Sequence, residues 1–275
     1  MSERMGNPIE IMMRELLTVV DLEALLIDPI FYGVRVSPGD GRLVAIIPGL
    51  FGSDFYLQPL SNWLRCLGYT PVRSTLSVNA GCMQEARTTV QAEIDRHQNG
   101  AARPIALIGH SRGGALAWAI AAQMQEQVSH LVLLGAPSPG FQRSAEAGQL
   151  EFPLGQMSRI LLHAGKFARR VSDPDCHFPS CECAYVNDVS RPLSPATTLL
   201  SIYGRDDLLV PEQARMREGQ IIEVPTSHVG LVYNPEVYRA LGRFLATNGT
   251  ASTAPSAALG AANNPGRRDR RRASA

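Results

Sequence analysis

Lysine is almost missing from this 275-residue chain: Lys166 is the only one, and arginine carries the other basic positions. An arginine here therefore reflects a general bias before it reflects recognition of an anion. Net charge is scarce too. The formal value of +1 gives no overall field, and nucleic acid is not an expected partner. No stretch approaches the roughly 20 uncharged apolar residues that a bilayer-spanning helix needs, so no transmembrane segment is expected, although peripheral membrane contact stays open. The opening residues lack an unbroken apolar region followed by a small-residue cleavage site, and a cytoplasmic placement is expected. With five cysteines and no export signal, reduced thiols are the expectation. Cys176, Cys181 and Cys183 lie near His163, but C-x4-C-x-C matches no standard zinc spacing, so neither a metal nor a cofactor is expected. Cys66 and Cys82 read as ordinary core or loop residues. Oligomeric state is not legible.

With 45% hydrophobic residues the chain can bury one large core, and one domain over residues 1–248 is expected. Residues 8–26 place Ile9, Met12, Met13, Leu16, Leu17, Val20 and Leu25 at near-helical spacing, an amphipathic helix expected to cover a sheet. The body alternates strands and helices: strands at 43–47, near 70–76 and at 128–134, helices near 55–67 and 83–98. That rhythm predicts an α/β fold, a mostly parallel central sheet with helices on both faces. It is lost between about 141 and 195, where an apolar cap or lid insertion is expected. From 249 to 275 the chain is small and polar with terminal arginines, a basic tail with too little apolar surface to offset its entropy.

Residues 105–114, Ile-Ala-Leu-Ile-Gly-His-Ser-Arg-Gly-Gly, run from an apolar strand into an alanine-rich helix and place Ser111 in Gly109-x-Ser111-x-Gly113. This is a nucleophile elbow, in which the serine sits on a sharp strand-to-helix turn and flanking glycines let neighbouring chain pass closely. A serine hydroxyl needs a base and an acid that orients the base. Beyond Asp206 and Asp207 the chain has one histidine, His228, in a loop after the expected strand at 220–224. Either aspartate could serve, since both follow a β-rich run ending at Gly204. Oxyanion donors are expected at the amide of Arg112, just after the nucleophile, and of Leu50 in Pro48-Gly49-Leu50-Phe51-Gly52 after the first strand.

The Pro-Gly-Leu-Phe-Gly-Ser loop, Asn79-Ala80-Gly81, the elbow, Gly204-Arg-Asp-Asp-Leu-Leu-Val-Pro211 and Ser227-His228-Val-Gly-Leu231 resemble an α/β-hydrolase of the lipase and esterase branch over residues 40–245. Inositol-deacylase-like hydrolases are similar too. The resemblance selects Asp207 over Asp206 and implies a Ser111–Asp207–His228 triad without metal or cofactor. Two departures stand out: Pro48 where many relatives carry histidine, and Arg112 where small or apolar residues are frequent. The Arg112 side chain is expected to pair within the protein or face solvent. Phe51, His110, Leu208 and Val229 are the expected substrate contacts.

The function expected is hydrolysis of carboxylic esters with apolar or lipid-like acyl groups, through an acyl-enzyme. Thioester hydrolysis or acyl transfer with the same triad is the alternative within the enzymes. In another class, a non-catalytic protein could use the fold to bind an apolar ligand or a partner.

Overall fold

Six strands stand side by side in one sheet, all parallel, in the order β2-β1-β3-β4-β5-β6. They are β1 Leu43–Ile47, β2 Thr70–Arg73, β3 Ile105–His110, β4 Val128–Leu134, β5 Thr198–Gly204 and β6 Gln220–Val224. The helices are α1 Pro8–Leu16, α2 Thr18–Ile27, α3 Gln58–Cys66, α4 Met83–Gln98, α5 Arg112–Met124, α6 Pro139–Gln142, α7 Ala184–Val189 and α8 Pro235–Leu245. This computed structural model describes residues 8–80, 82–100, 103–142 and 184–247.

Parallel strands buried on both faces should be apolar throughout, and β3 is buried at all six positions. Successive strand residues point to opposite faces. Accordingly, Ala45, Ile47, Ile105, Leu107, Leu131 and Leu133 join α4 and α5 in one core layer. Their neighbours Val44, Ile46, Ala106, Ile108, Val132 and Leu134 join α3 and α8 in the other. Helices therefore cover both faces, as the alternation of the sequence implies. In α5 every residue from Gly113 to Ala122 is buried, and each large one, such as Leu116 or Ile120, contributes about 1.5–3 kcal/mol through that burial.

The chain runs from β1 outward to β2, then returns to place β3 on the other side of β1. Strand order reverses there, and in open α/β sheets the crevice at the carboxyl ends of the two inner strands is where ligands bind. The loop after β1 and the elbow after β3 occupy that position.

Three elements differ from expectation. The strand near 70–76 stops at Arg73 because the Asp54 carboxylate captures the Ser74 and Thr75 amides at 3.1 and 3.0 Å, with Thr75 at φ 57°. The helix near 55–67 starts at Gln58, with Pro59 in its first turn. The amphipathic segment 8–26 forms two helices, α1 and α2, that meet at Leu17. Instead of lying across the sheet, α2 packs on α8 and the 3-10 turn Gly230–Val232, and of its side chains only Leu25 is fully buried. Most of the expected insertion, residues 143–183, lies outside the described residues, as do His163, Cys176, Cys181, Cys183 and the tail. Cys66 is exposed and Cys82 buried, both as free thiols. Among the described residues no helix is long and apolar enough to cross a membrane.

Candidate active site

Ser111 sits between the last residue of β3 and the first of α5 with φ 53° and ψ −124°. A non-glycine residue there is strained by roughly 1–3 kcal/mol and persists only when its surroundings over-determine it. Two hydrogen bonds do so: the Ser111 amide donates to the Leu134 carbonyl at 2.8 Å, and the Gly114 amide donates to the Ser111 carbonyl at 2.8 Å. The flanking glycines are steric requirements. A Cβ on Gly109 would lie 2.3 Å from the Gly113 carbonyl oxygen, and one on Gly113 would lie 2.3 Å from that of Ile47.

On the neighbouring strand ends, the His228 Nδ1–H donates to Asp207 Oδ2 at 2.7 Å. The other Asp207 oxygen accepts the amides of Leu209 and Val210 at 2.8 and 3.0 Å. Burial alone would raise this carboxyl, but the His228 imidazole and the two amides hold it below the ordinary range. Burial also opposes a charged His228, yet Asp207, by charge and by hydrogen bond, keeps the imidazole above its ordinary value, with Glu15 adding to the effect. Asp206 turns outward to Arg14 at 2.5 Å. Gly204 lets the two loops meet, since a Cβ there would lie 2.4 Å from the Thr226 carbonyl oxygen.

Within the loop after β1, the Gly49 amide donates to the Tyr56 hydroxyl at 2.6 Å, Phe51 to the Asn79 carbonyl at 3.0 Å, and Gly52 to the Gly49 carbonyl at 3.0 Å. The Leu50 amide has no partner among the described residues. The Arg112 amide opens α5, where helix N–H groups point outward along the axis. Its guanidinium folds onto the Asn79 carbonyl at 3.3 Å. Phe51, Leu208 and Val229 are partly exposed around these groups.

The structure brings Ser111 and His228 to the same end of the sheet. Ser111 is bonded to Leu134, and a Cβ on the next residue, Gly135, would lie 3.1 Å from His228 Nδ1. Among the described residues the Ser111 hydroxyl makes no hydrogen bond, to His228 or to any other group.

His110 differs from its expected role. It is buried, and both ring nitrogens are engaged within the protein: Nε2–H donates to the His228 carbonyl at 3.0 Å, and the Tyr56 hydroxyl donates to Nδ1 at 2.9 Å. No polar ring atom is left for substrate. Sequence reasoning missed Tyr56, and it missed Glu15, whose carboxylate reaches the His228 loop from α1.

A six-stranded parallel sheet with a serine at positive φ after β3 and an aspartate-bound histidine after β6 has the architecture of the α/β-hydrolase fold. Residues 89–173 match the family model described as alpha/beta hydrolase fold. That match covers less than a third of the chain, and over it the chain is similar to the α/β-hydrolase family. Two solved structures share the fold. A pyrethroid hydrolase from Sphingobium faniae is 16% identical with TM-score 0.52, covering 76% of this chain and 99% of its own. A carboxylesterase of the thaumarchaeon Nitrososphaera gargenis is 17% identical with TM-score 0.52, covering 76% and 92%. No curated protein matches the chain.

Proposed function

We propose that this protein is a serine hydrolase that cleaves carboxylic esters of apolar or lipid-like acyl groups through an acyl-enzyme. The observation that carries the reading is the buried Asp207–His228 hydrogen bond of 2.7 Å, at the sheet end where Ser111 is held at positive φ.

In the proposed reaction His228 Nε2 takes the Ser111 proton as Oγ attacks the ester carbonyl. The resulting oxyanion is stabilised by the amides of Leu50 and Arg112, prepositioned donors of a kind that contribute several kcal/mol. His228 then gives its proton to the leaving alcohol. Water, activated by the same imidazole, releases the acid and restores Ser111. Asp207 holds the Nδ1–H tautomer and stabilises the imidazolium without taking the proton. The partly exposed Phe51, Leu208 and Val229 contribute apolar contacts to the acyl group.

The test is labelling by a fluorophosphonate together with hydrolysis of p-nitrophenyl esters of increasing acyl length. Both are expected in the wild type and absent in Ser111→Ala with unchanged circular dichroism. Labelling retained in Ser111→Ala would reject the assignment.

A further inference from the structure

The loop that carries His228 is held from outside by a carboxylate far away in sequence. Glu15, on α1, accepts the His228 amide on Oε1 at 3.1 Å. Its Oε2 accepts the Val229 amide at 2.9 Å and the Ser227 hydroxyl at 3.0 Å. Successive backbone amides converging on one anion form a strong recognition geometry, and hydrogen bonds to a charged acceptor are about twice as strong as neutral ones. The preceding residue, Arg14, pairs with Asp206 at 2.5 Å and so ties the acid loop to the same helix. Asp21, on α2, accepts the Thr226 hydroxyl at 2.5 Å and the Asn234 side-chain amide at 2.9 Å.

From these contacts we infer that Glu15 is a positioning residue for the catalytic histidine, with the α1–α2 pair acting as an external brace on the acid and histidine loops. The inference rests on the serine-hydrolase reading above. His228 is fixed from three sides: Asp207 holds Nδ1, His110 holds the carbonyl, and Glu15 holds the amide. The titratable groups facing it are Asp207 from the loop after β5, His110 from β3 and Glu15 from α1. Of these, Asp207 and Glu15 are the anions that favour the imidazolium. Glu15 thus acts through both geometry and charge. Without it the amides of 228 and 229 lose their acceptor and the imidazole can move away from Ser111.

The experiment measures the fluorophosphonate labelling rate of Ser111 against pH in wild type, Glu15→Ala, Glu15→Gln and Ser111→Ala. A small displacement of a reacting group costs up to about a hundredfold, so Glu15→Ala is expected to label roughly ten- to hundredfold more slowly. Glu15→Gln keeps one acceptor oxygen and loses less. In both, the acid limb of the rate profile moves to lower pH, because an anion near the imidazole has been removed. A purely structural role would not move that limb. An acid limb unchanged in Glu15→Gln, or wild-type rates in both variants, overturns the inference while leaving the hydrolase reading intact. If Glu15→Ala does not fold by circular dichroism, Glu15→Gln decides. Equal labelling of Ser111→Ala and wild type removes the underlying reading, and this inference with it.

Discussion

The His110 imidazole donates Nε2–H to the main-chain carbonyl of His228 at 3.0 Å, so one histidine fixes the backbone of the other. Burial, with the neighbouring His228, drives His110 down to about 3, and the ring stays neutral. Its other nitrogen must then accept, which orients the Tyr56 hydroxyl as a donor toward it and leaves the Tyr56 oxygen to accept the Gly49 amide. One directed chain of hydrogen bonds links the loop after β1, the elbow strand and the histidine loop.

Removing the Tyr56 hydroxyl should expose that chain. In Tyr56→Phe the Gly49 amide and His110 Nδ1 both lose a buried partner, each at about 1–3 kcal/mol. Urea denaturation is expected to show that loss, with a lower kcat on a short p-nitrophenyl ester. A variant with wild-type midpoint and kcat would show the chain to be incidental.

The proposed triad predicts a large effect at its acid. Asp207→Asn should lower kcat by roughly 10³–10⁴-fold, since the amide favours the wrong tautomer of His228. Asp206→Asn loses only the half-exposed pair with Arg14, one contact of the brace, and should lower kcat far less than Asp207→Asn does. Steady-state kinetics on both variants distinguishes the two aspartates, and a reversal of their effects would move the assignment to Asp206.

Activity should require neutral His228, whose imidazole is held above the ordinary histidine range, so kcat/KM is expected to rise through an acid limb above pH about 6.5. Stability should behave differently. Burial keeps His110 at about 3 and, with Arg42 beside it, His130 at about 4, while unfolding returns both to about 6.5. Between these values the unfolded chain binds protons that the folded one does not, so stability falls on acidification from about pH 6.5. Asp207, held low, adds a loss as pH falls through its folded value. His228 acts oppositely, its contribution being complete below about 6.5 and lost as pH rises through its raised value. Urea midpoints are expected to be lower at pH 5 than at pH 7.5, with a weaker dependence in His130→Gln. A midpoint that rises on acidification would contradict this.

Two glycines offer a matched comparison. A Cβ on Gly113 would press into the Ile47 backbone at 2.3 Å, whereas one on Gly140 meets nothing within 4 Å among the described residues. Gly113→Ala should cost roughly 1–3 kcal/mol by overpacking and shift the elbow. Gly140→Ala should stay within about 0.5 kcal/mol of wild type. Equal unfolding free energies for the two would show that the elbow tolerates the extra carbon.

Much of this architecture was legible because its signals are local. Apolar runs at 43–47, 105–110 and 128–134 are strands that only a sheet covered on both faces can use, and the elbow glycines announce a close approach. The pairing of Asp207 with His228 followed from chain order and from resemblance. Glu15 was not legible: in an amphipathic pattern a glutamate reads as a solvated face, and nothing nearby marks its partners more than 200 positions away. The break between α1 and α2 was hidden for a related reason, since Leu17 is neither glycine nor proline. His110 was expected to contact substrate, whereas the His228 carbonyl and the Tyr56 hydroxyl engage both of its ring nitrogens.

The contacts from Arg14 and Glu15 to the acid and histidine loops span 192 to 214 positions. During synthesis the brace leaves the ribosome long before the segments it grips. Contacts of such high sequence separation form late and slowly. The arrangement of Asp207 and His228 therefore reaches its final geometry only after β6 has docked, and a chain halted short of residue 206 lacks every partner that Arg14, Glu15 and Asp21 take in those loops.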